Sequence, residues 1–281
     1  MPIIGVCTID YRNPIVARYL EGILEAARAC GYRVNLLTIP EHEATTLIDA
    51  QLRPPLIASS ELRGLVFIHR WPAAVLAELG RRMPCVSLVH DAPSSDIGVV
   101  TMDHASGVHL LMEHLHELGH RRIGYFGKNT ELTWAKERYL AYNAFLDERQ
   151  LIHDVRCSIP LSTTGLQTGE GSWDGALDQA LTRSRSGFTA WVCPSGRTAN
   201  HLRLHLVQHG ISIPQQVSLA VFDAVTAPDE EFTRLDIDHH HLGSLALRQV
   251  VERIESPSAK ASVTVVPCSF HAGRSTAAKA S

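Results

Sequence analysis

Side chains suited to gripping a small polar molecule recur at one kind of place in this chain: just after its short apolar runs. Asp10 and Tyr11 follow Ile3 to Ile9, His69, Arg70 and Trp71 follow Leu65 to Ile68, and Asp91 follows Cys85 to Val89. Further along, Lys128, Trp134 and Arg138 follow Ile123 to Phe126, while Ser195 and Asp223 close the runs Ala190 to Cys193 and Val217 to Phe222. Trp173 opens the helical stretch before Ala190. Flat aromatic faces with a few charged groups fix hydroxyls or an anion, so the chemistry expected of this set is recognition. Bond-making chemistry has no comparable set. The chain shows neither a serine nucleophile elbow nor a phosphate-cradling loop, so it is not expected to be an enzyme.

Metal and cofactor patterns are present only on paper. His116-Glu117-Leu118-Gly119-His120 spells the His-Glu-x-x-His pattern, but that chemistry needs one continuous helix and Gly119 falls where the helix should end. His239-His240-His241 cannot turn three consecutive side chains toward one ion. It is expected to open the helix running to Ile254. Gly169-Glu170-Gly171 with Gly175 does not follow a strand, so no dinucleotide is expected. Neither a cofactor nor a metal is therefore expected. The six cysteines are scattered, mostly in apolar runs, and read as reduced buried thiols of a cytoplasmic protein. The chain opens Met-Pro-Ile-Ile-Gly-Val with no basic leader or apolar signal core, and no apolar span of about 18 residues occurs, so no membrane is expected. A formal net charge of −3 and the lack of a dense basic run argue against nucleic-acid binding by these residues themselves.

The elements that must position the strand-end groups follow an alternating pattern. Ala190 to Cys193 is a short buried strand ended by Pro194; Ser195 can cap the helix after it; Ala199, Leu202 and Leu206 share one face; Gly210 and Pro214 stop it; Val217 to Phe222 is the next strand. This β-α-β unit opens Pro194–Gly196 and Asp223 on the carboxyl edge of its sheet, where ligands bind in parallel α/β folds. Strands over Ile3–Ile9, Val34–Ile39, Leu65–Ile68, Cys85–Val89 and Val99–Met102 alternate with helices starting at Asn13-Pro14 and Ala73. A second such set begins near Gly119: strands Ile123–Phe126 and Val155–Ile159, helices Ala135–Gln150 and Trp173–Thr182, then a helix Leu242–Ile254 and a late strand Val263–Ser269. With 281 residues and 45% hydrophobic content, two doubly wound parallel-sheet lobes of roughly 100–150 residues each are expected.

Several strings carry a resemblance. Asn13-Pro14, Asp103 with Gly107, Leu118-Gly119-His120-Arg121-Arg122-Ile123-Gly124, Arg138, Gly210 with Pro214, Phe222-Asp223 and Ser275-Thr276 occur in the order and spacing of the lac-repressor/galactose-repressor family of bacterial transcription regulators, so the chain resembles that family's effector-sensing domain over nearly its whole length. The resemblance implies a type I periplasmic-binding-protein-like fold whose chain crosses between lobes three times, near Glu117, Asp238 and Ser256. Residues 1–117 with 238–256 then form the N-terminal lobe, and residues 118–237 with 257–281 the C-terminal lobe. The two close on a cleft that takes a small-molecule effector, with a sugar or sugar derivative leading. The implied effector contacts are Arg138 and Asp223, with Trp173 at a stacking position, joined by Trp71, Asp91, Tyr11 and Ser195. The chain departs from the family at Ser195-Gly196, which stands where Asn-Asp is usual, and at Val221 in place of Gly, so its specificity is expected to differ from simple hexose sensors. Loss of Arg138 or Asp223 is expected to leave the ligand-free stability unchanged. A homodimer is expected, partly from the surplus apolar side of the first helix at Ile15, Tyr19 and Leu24. Operator DNA would be met only through a helix-turn-helix domain N-terminal to this segment and absent from it. A solute-binding protein of a transporter shares the fold and is the alternative.

Overall fold

A computed structural model describes residues 1–90, 96–162, 166, 173–225 and 231–279. Its secondary structure divides into two compact units, Met1–Met102 with Asp238–Val266 and Asp103–Ile237 with Pro267–Ser281.

The first unit is built on a six-stranded sheet in the order β11-β5-β4-β3-β1-β2. Its strands are β1 (Ile3–Thr8), β2 (Arg33–Thr38), β3 (Leu62–Ile68), β4 (Cys85–Leu88), β5 (Ile97–Met102) and β11 (Val263–Val266), all parallel. β1 is flanked on both sides in register, Val6 lying opposite Leu36 and Val66. β1 and β3 are buried along nearly their whole length, as the near-continuous apolar runs of a sheet covered on both faces require. Helix α1 (Pro14–Ala29) begins where Asn13 Oδ1 accepts the Ile15 N–H at 2.9 Å, with proline in the first turn. It packs on α7 (His239–Glu255), whose N-cap is Asp238. The contact is a backbone-to-backbone crossing: a Cβ on Gly22 would lie 1.8 Å from the His240 carbonyl oxygen, and one on Gly243 2.1 Å from that of Tyr19. Tyr19 is buried there, edge-on to His239 at 5.1 Å. The apolar side of α1 attributed to a dimer interface is thus partly a seam within its own unit, because Tyr19 turns inward. Of the histidine run, His239 is buried, His240 pairs with Glu25 at 3.0 Å and His241 is exposed in the first turn of α7.

The second unit repeats the plan with the order β12-β10-β9-β8-β6-β7. The strands are β6 (Ile123–Lys128), β7 (Ser158–Pro160), β8 (Ala190–Cys193), β9 (Ser218–Val221), β10 (Thr233–Asp236) and β12 (Ser269–His271), with only β12 antiparallel. Its helices include α3 (His104–Glu117), α4 (Thr133–Glu148), α5 (Asp174–Arg185) and α6 (Gly196–Gln208).

Two boundaries differ from the expected 117 and 256. α3 packs on α4, β9 and β10, so the first crossing comes at Met102–Asp103, before that helix. The expected strand Val263–Ser269 is two strands: Val263–Val266 adds to the first sheet beside β5, Pro267 interrupts, and Ser269–His271 adds to the second beside β10. At the end of α3 the helix stops at Glu117 and Gly119 turns left-handed with φ +88°. His120 then points its ring nitrogens at Thr189 Oγ1 (2.8 Å), Ser218 Oγ (3.0 Å) and the Ala277 carbonyl (3.1 Å), which ties the C-terminal segment to the sheet.

Candidate functional site

In both sheets the strand order reverses beside the first strand: β1 lies between β2 and β3, and β6 between β7 and β8. The crevice at such a switch point, outside the carboxyl ends, is where doubly wound sheets bind ligands. The second unit builds the denser of the two.

There, β6 runs out at Lys128 and the chain turns on Asn129. Asn129 Oδ1 accepts the N–H groups of Glu131 and Leu132, both at 2.9 Å, and its Nδ2 donates to the Leu161 carbonyl at 3.2 Å. Leu132 offers α4 no side-chain cap, so this asparagine shapes the helix entry. Trp134 and Arg138 then sit one turn apart on α4 and face the same way. The Arg138 guanidinium lies 4.8 Å from the Trp134 ring centre and 3.6 Å from that of Phe222, a double cation–π sandwich. Its Nη1 donates to the Pro194 carbonyl just past β8, and its Nε donates to His104 Nδ1 at 3.2 Å. Only 5% of Arg138 is exposed.

Ser195 is the N-cap of α6: its Oγ accepts the Thr198 N–H at 3.4 Å, and Thr198 Oγ1 accepts the Ser195 N–H at 3.2 Å. A Cβ on Gly196 would lie 2.9 Å from Ala224 Cα and 3.0 Å from the Asp223 carbonyl oxygen, so a side chain here would collide with the loop after β9. The Ser-Gly pair therefore lets two strand-end loops touch through their backbones. Asp223 is 7% exposed, and its Oδ1 accepts the Val225 N–H at 3.2 Å. Trp173, the N-cap of α5, stacks on His201 at 4.4 Å and 29°. Burial, then the charge of Arg197, pushes the His201 pKa down, which disfavours a charge on that stacking partner. Trp173 Nε1 is buried and meets no acceptor among the described residues.

The first unit's switch point is marked by strained backbone. His69 (φ +77°) and Val89 (φ +68°), at the ends of neighbouring strands β3 and β4, are left-handed without being glycine, a conformation that costs about 1–3 kcal/mol and gathers at functional sites. His69 Nδ1 accepts the Ile9 N–H at 3.2 Å, which leaves its proton on Nε2. His90 is buried, and its pKa is pushed down to about 3, mainly by burial and then by His69 and Arg70. Tyr11 is exposed in a loop held by Asp10 Oδ1, which accepts the Arg12 N–H at 2.9 Å. Trp71 lies in the core of this unit, donating from Nε1 to the Ile68 carbonyl at 2.8 Å and packing edge-on against Phe67. Asp91 lies outside the described residues.

Of the residues marked in the sequence, the second unit brings Arg138, Asp223 and Ser195 to one strand edge, with Phe222 and Pro194 between them. His104 and Asn129 were missed. His104 immediately follows the marked Asp103, but nothing in its spacing connects it to Arg138, 34 residues on.

Residues 112–276 match the family model of the periplasmic binding protein-like domain. The chain is 32% identical over 223 residues to the HTH-type transcriptional regulator GalR of Salmonella typhimurium, a match that covers 79% of this chain and 63% of that protein. It is 26% identical over 273 residues to the arabinose metabolism transcriptional repressor of Geobacillus stearothermophilus, covering 91% of this chain and 71% of that one. Among solved structures, a LacI family transcriptional regulator from Enterococcus faecium with bound ribose superposes with a TM-score of 0.81 at 19% identity, covering 98% of this chain and 99% of that one.

Proposed function

The chain belongs to the periplasmic binding protein-like domain family, and from that premise we propose that it is the effector-sensing part of a lac-repressor-type transcriptional regulator. Its ligand is a small polar metabolite, a sugar or sugar derivative. One observation carries this: Arg138 is held rigidly between two rings at the second unit's switch point, on the same strand edge as Asp223. A fixed cation and a carboxylate suit ring hydroxyls, and aromatic surface suits the C–H face of a sugar. The buried Trp173 N–H offers a further donor. Ser195, on the same strand edge, completes the proposed contacts of this unit; at the first unit's own switch point Tyr11 and Asp91 remain proposed contacts, whereas Trp71 packs into that unit's core.

Similarity to GalR and to the arabinose repressor supports a regulatory role. The chain spans 63% of GalR's length, so the operator DNA contact, the homodimer and the cytoplasmic setting are proposals about the whole protein. No described helix is long and apolar enough to cross a membrane. The test is a thermal-shift screen of aldoses and their acids, starting with D-ribose and L-arabinose, followed by calorimetry. At least one sugar should raise the melting temperature and bind with one-to-one stoichiometry. No binder across the panel would overturn the sugar assignment.

A further inference from the structure

We propose that the end of β3 in the first unit is an acid-recognising subsite, at which Arg70 receives a carboxylate or phosphoryl group of the metabolite; the inference deepens the sensing role proposed above and rests on it. Arg70 stands between two fixed residues. His69 before it is left-handed (φ +77°), with Nδ1 accepting the Ile9 N–H at 3.2 Å. Trp71 after it is buried and donates Nε1 to the Ile68 carbonyl at 2.8 Å. The backbone is thus set on both sides, while the Arg70 side chain is exposed. Among the described residues its guanidinium meets no hydrogen-bond or ion-pair partner. A guanidinium presents its N–H donors as a planar fork that matches the paired oxygens of a carboxylate or phosphate. Bonds to such charged acceptors are roughly twice as strong as bonds to a neutral hydroxyl, so an unpaired arginine selects for an acid group.

The neighbouring strand end suits an anion as well. Ile68 of β3 pairs with Leu88 of β4, so His69 and Val89 leave adjacent strands side by side. Val89 is left-handed too (φ +68°), a conformation that a β-branched residue resists. It is followed by His90, whose carbonyl accepts the Ser87 hydroxyl at 2.8 Å. His90 is 9% exposed, and its Nδ1 is buried without a partner among the described residues. An acceptor brought by a ligand would relieve that nitrogen in its N–H form. Burial, then the charges of His69 and Arg70, holds the His90 pKa down to about 3, so the ring is neutral at pH 7 and adds a donor without a second charge. Asp10, the carboxylate just past β1, is paired with Arg12, whose Nε lies 3.6 Å from its Oδ1. The unpaired charge of this edge, among the described residues, is therefore that of Arg70.

Two measurements on the full chain test this. In the first, inorganic phosphate and acetate are titrated separately into the ¹⁵N-labelled chain at constant ionic strength and followed by nuclear magnetic resonance. The Arg70 Nε–H and the His90 amide should shift saturably, whereas the amide of Arg63, near the other end of β3, should not. The His90 response should vanish in Arg70→Gln and persist in Arg63→Gln, which removes an equal charge from the same strand. In the second, calorimetry compares D-ribose, D-ribonate and D-ribose 5-phosphate. One of the acids should bind at least about tenfold more tightly than ribose, and Arg70→Gln should abolish that advantage, as loss of a charge-assisted bond implies. The tighter acid identifies the group as carboxylate or phosphoryl. Shifts that do not saturate, equal affinity for ribose and both acids, or an advantage that survives Arg70→Gln would each overturn the proposal. If neither ribose nor its acids bind while the simple anions still shift His90 saturably, the subsite stands and the sugar reading alone falls.

Discussion

Arg138 has two duties, and its substitutions should report both. Truncation to alanine removes a charge-assisted contact and should weaken sugar binding by about 10- to 200-fold in calorimetry. The structure adds a second effect. Arg138 is buried and bonded to His104 and Pro194 before any ligand arrives, so the ligand-free chain should lose about 2 kcal/mol in urea unfolding, contrary to the expectation of unchanged stability. Asp223, tied to the Val225 N–H, should behave in the same direction. A different residue governs acid sensitivity. The pKa of buried His90 is lowered from 6.5 to about 3. The unfolded chain therefore takes up that proton first. Stability should be complete above about pH 6.5 and decline toward pH 3 by up to about 1.4 kcal/mol per pH unit, a slope that His90→Gln should reduce in denaturant titrations at stepped pH. His69, His114, His120 and His201, also lowered mainly by burial, act in the same direction. At this scale the sequence could place Asp223 just past a strand, because apolar runs locate strand ends; that Asp223 and Arg138 contact a ligand is the proposal. The sequence could not say that Trp71 turns into the core or that His104 reaches Arg138, since both depend on packing across distant segments.

Helix packing is the level at which small residues matter most. Where α1 crosses α7, Gly22 and Gly243 each leave room for the other helix's backbone. Gly22→Ala should cost about 3 kcal/mol in urea unfolding, because the clash is with a carbonyl that cannot rotate away. Gly175→Ala, in the first turn of α5 with open space around it, should be neutral or stabilise by about 0.5–1 kcal/mol. Elements with strong apolar patterns were legible: α1 from its Asn-Pro start, and α6 from its serine cap and Gly210 stop. β10 was missed, since Thr233–Asp236 is short and mostly polar. β11 and β12 were read as one strand, because apolar patterning says where a strand lies and not which sheet it joins.

For the molecule as a whole, the two-lobe architecture was legible from alternation and spacing, while the crossing points were displaced by one helix and by one strand. A dimer of the whole protein remains the proposal. With Tyr19 engaged by α7, the apolar surface left on the first unit includes Leu24 of α1 and Leu36 of the edge strand β2, both exposed. Leu24→Glu with Leu36→Lys should shift sedimentation toward monomer; unchanged association would place any interface elsewhere. The discontinuity of the first unit also bears on how the chain is made. Its opening 102 residues lack α7 and β11 until residues 238–266 have been synthesised. At ribosomal speeds of about 5–20 residues per second, that interval lasts roughly 8–33 s. Throughout it the α1 face that later receives α7 is bare and one side of β5 has no neighbour. The nascent chain is therefore a natural client for holding chaperones, and a stalled product ending before Asp238 should be degraded or aggregate while the full-length chain accumulates.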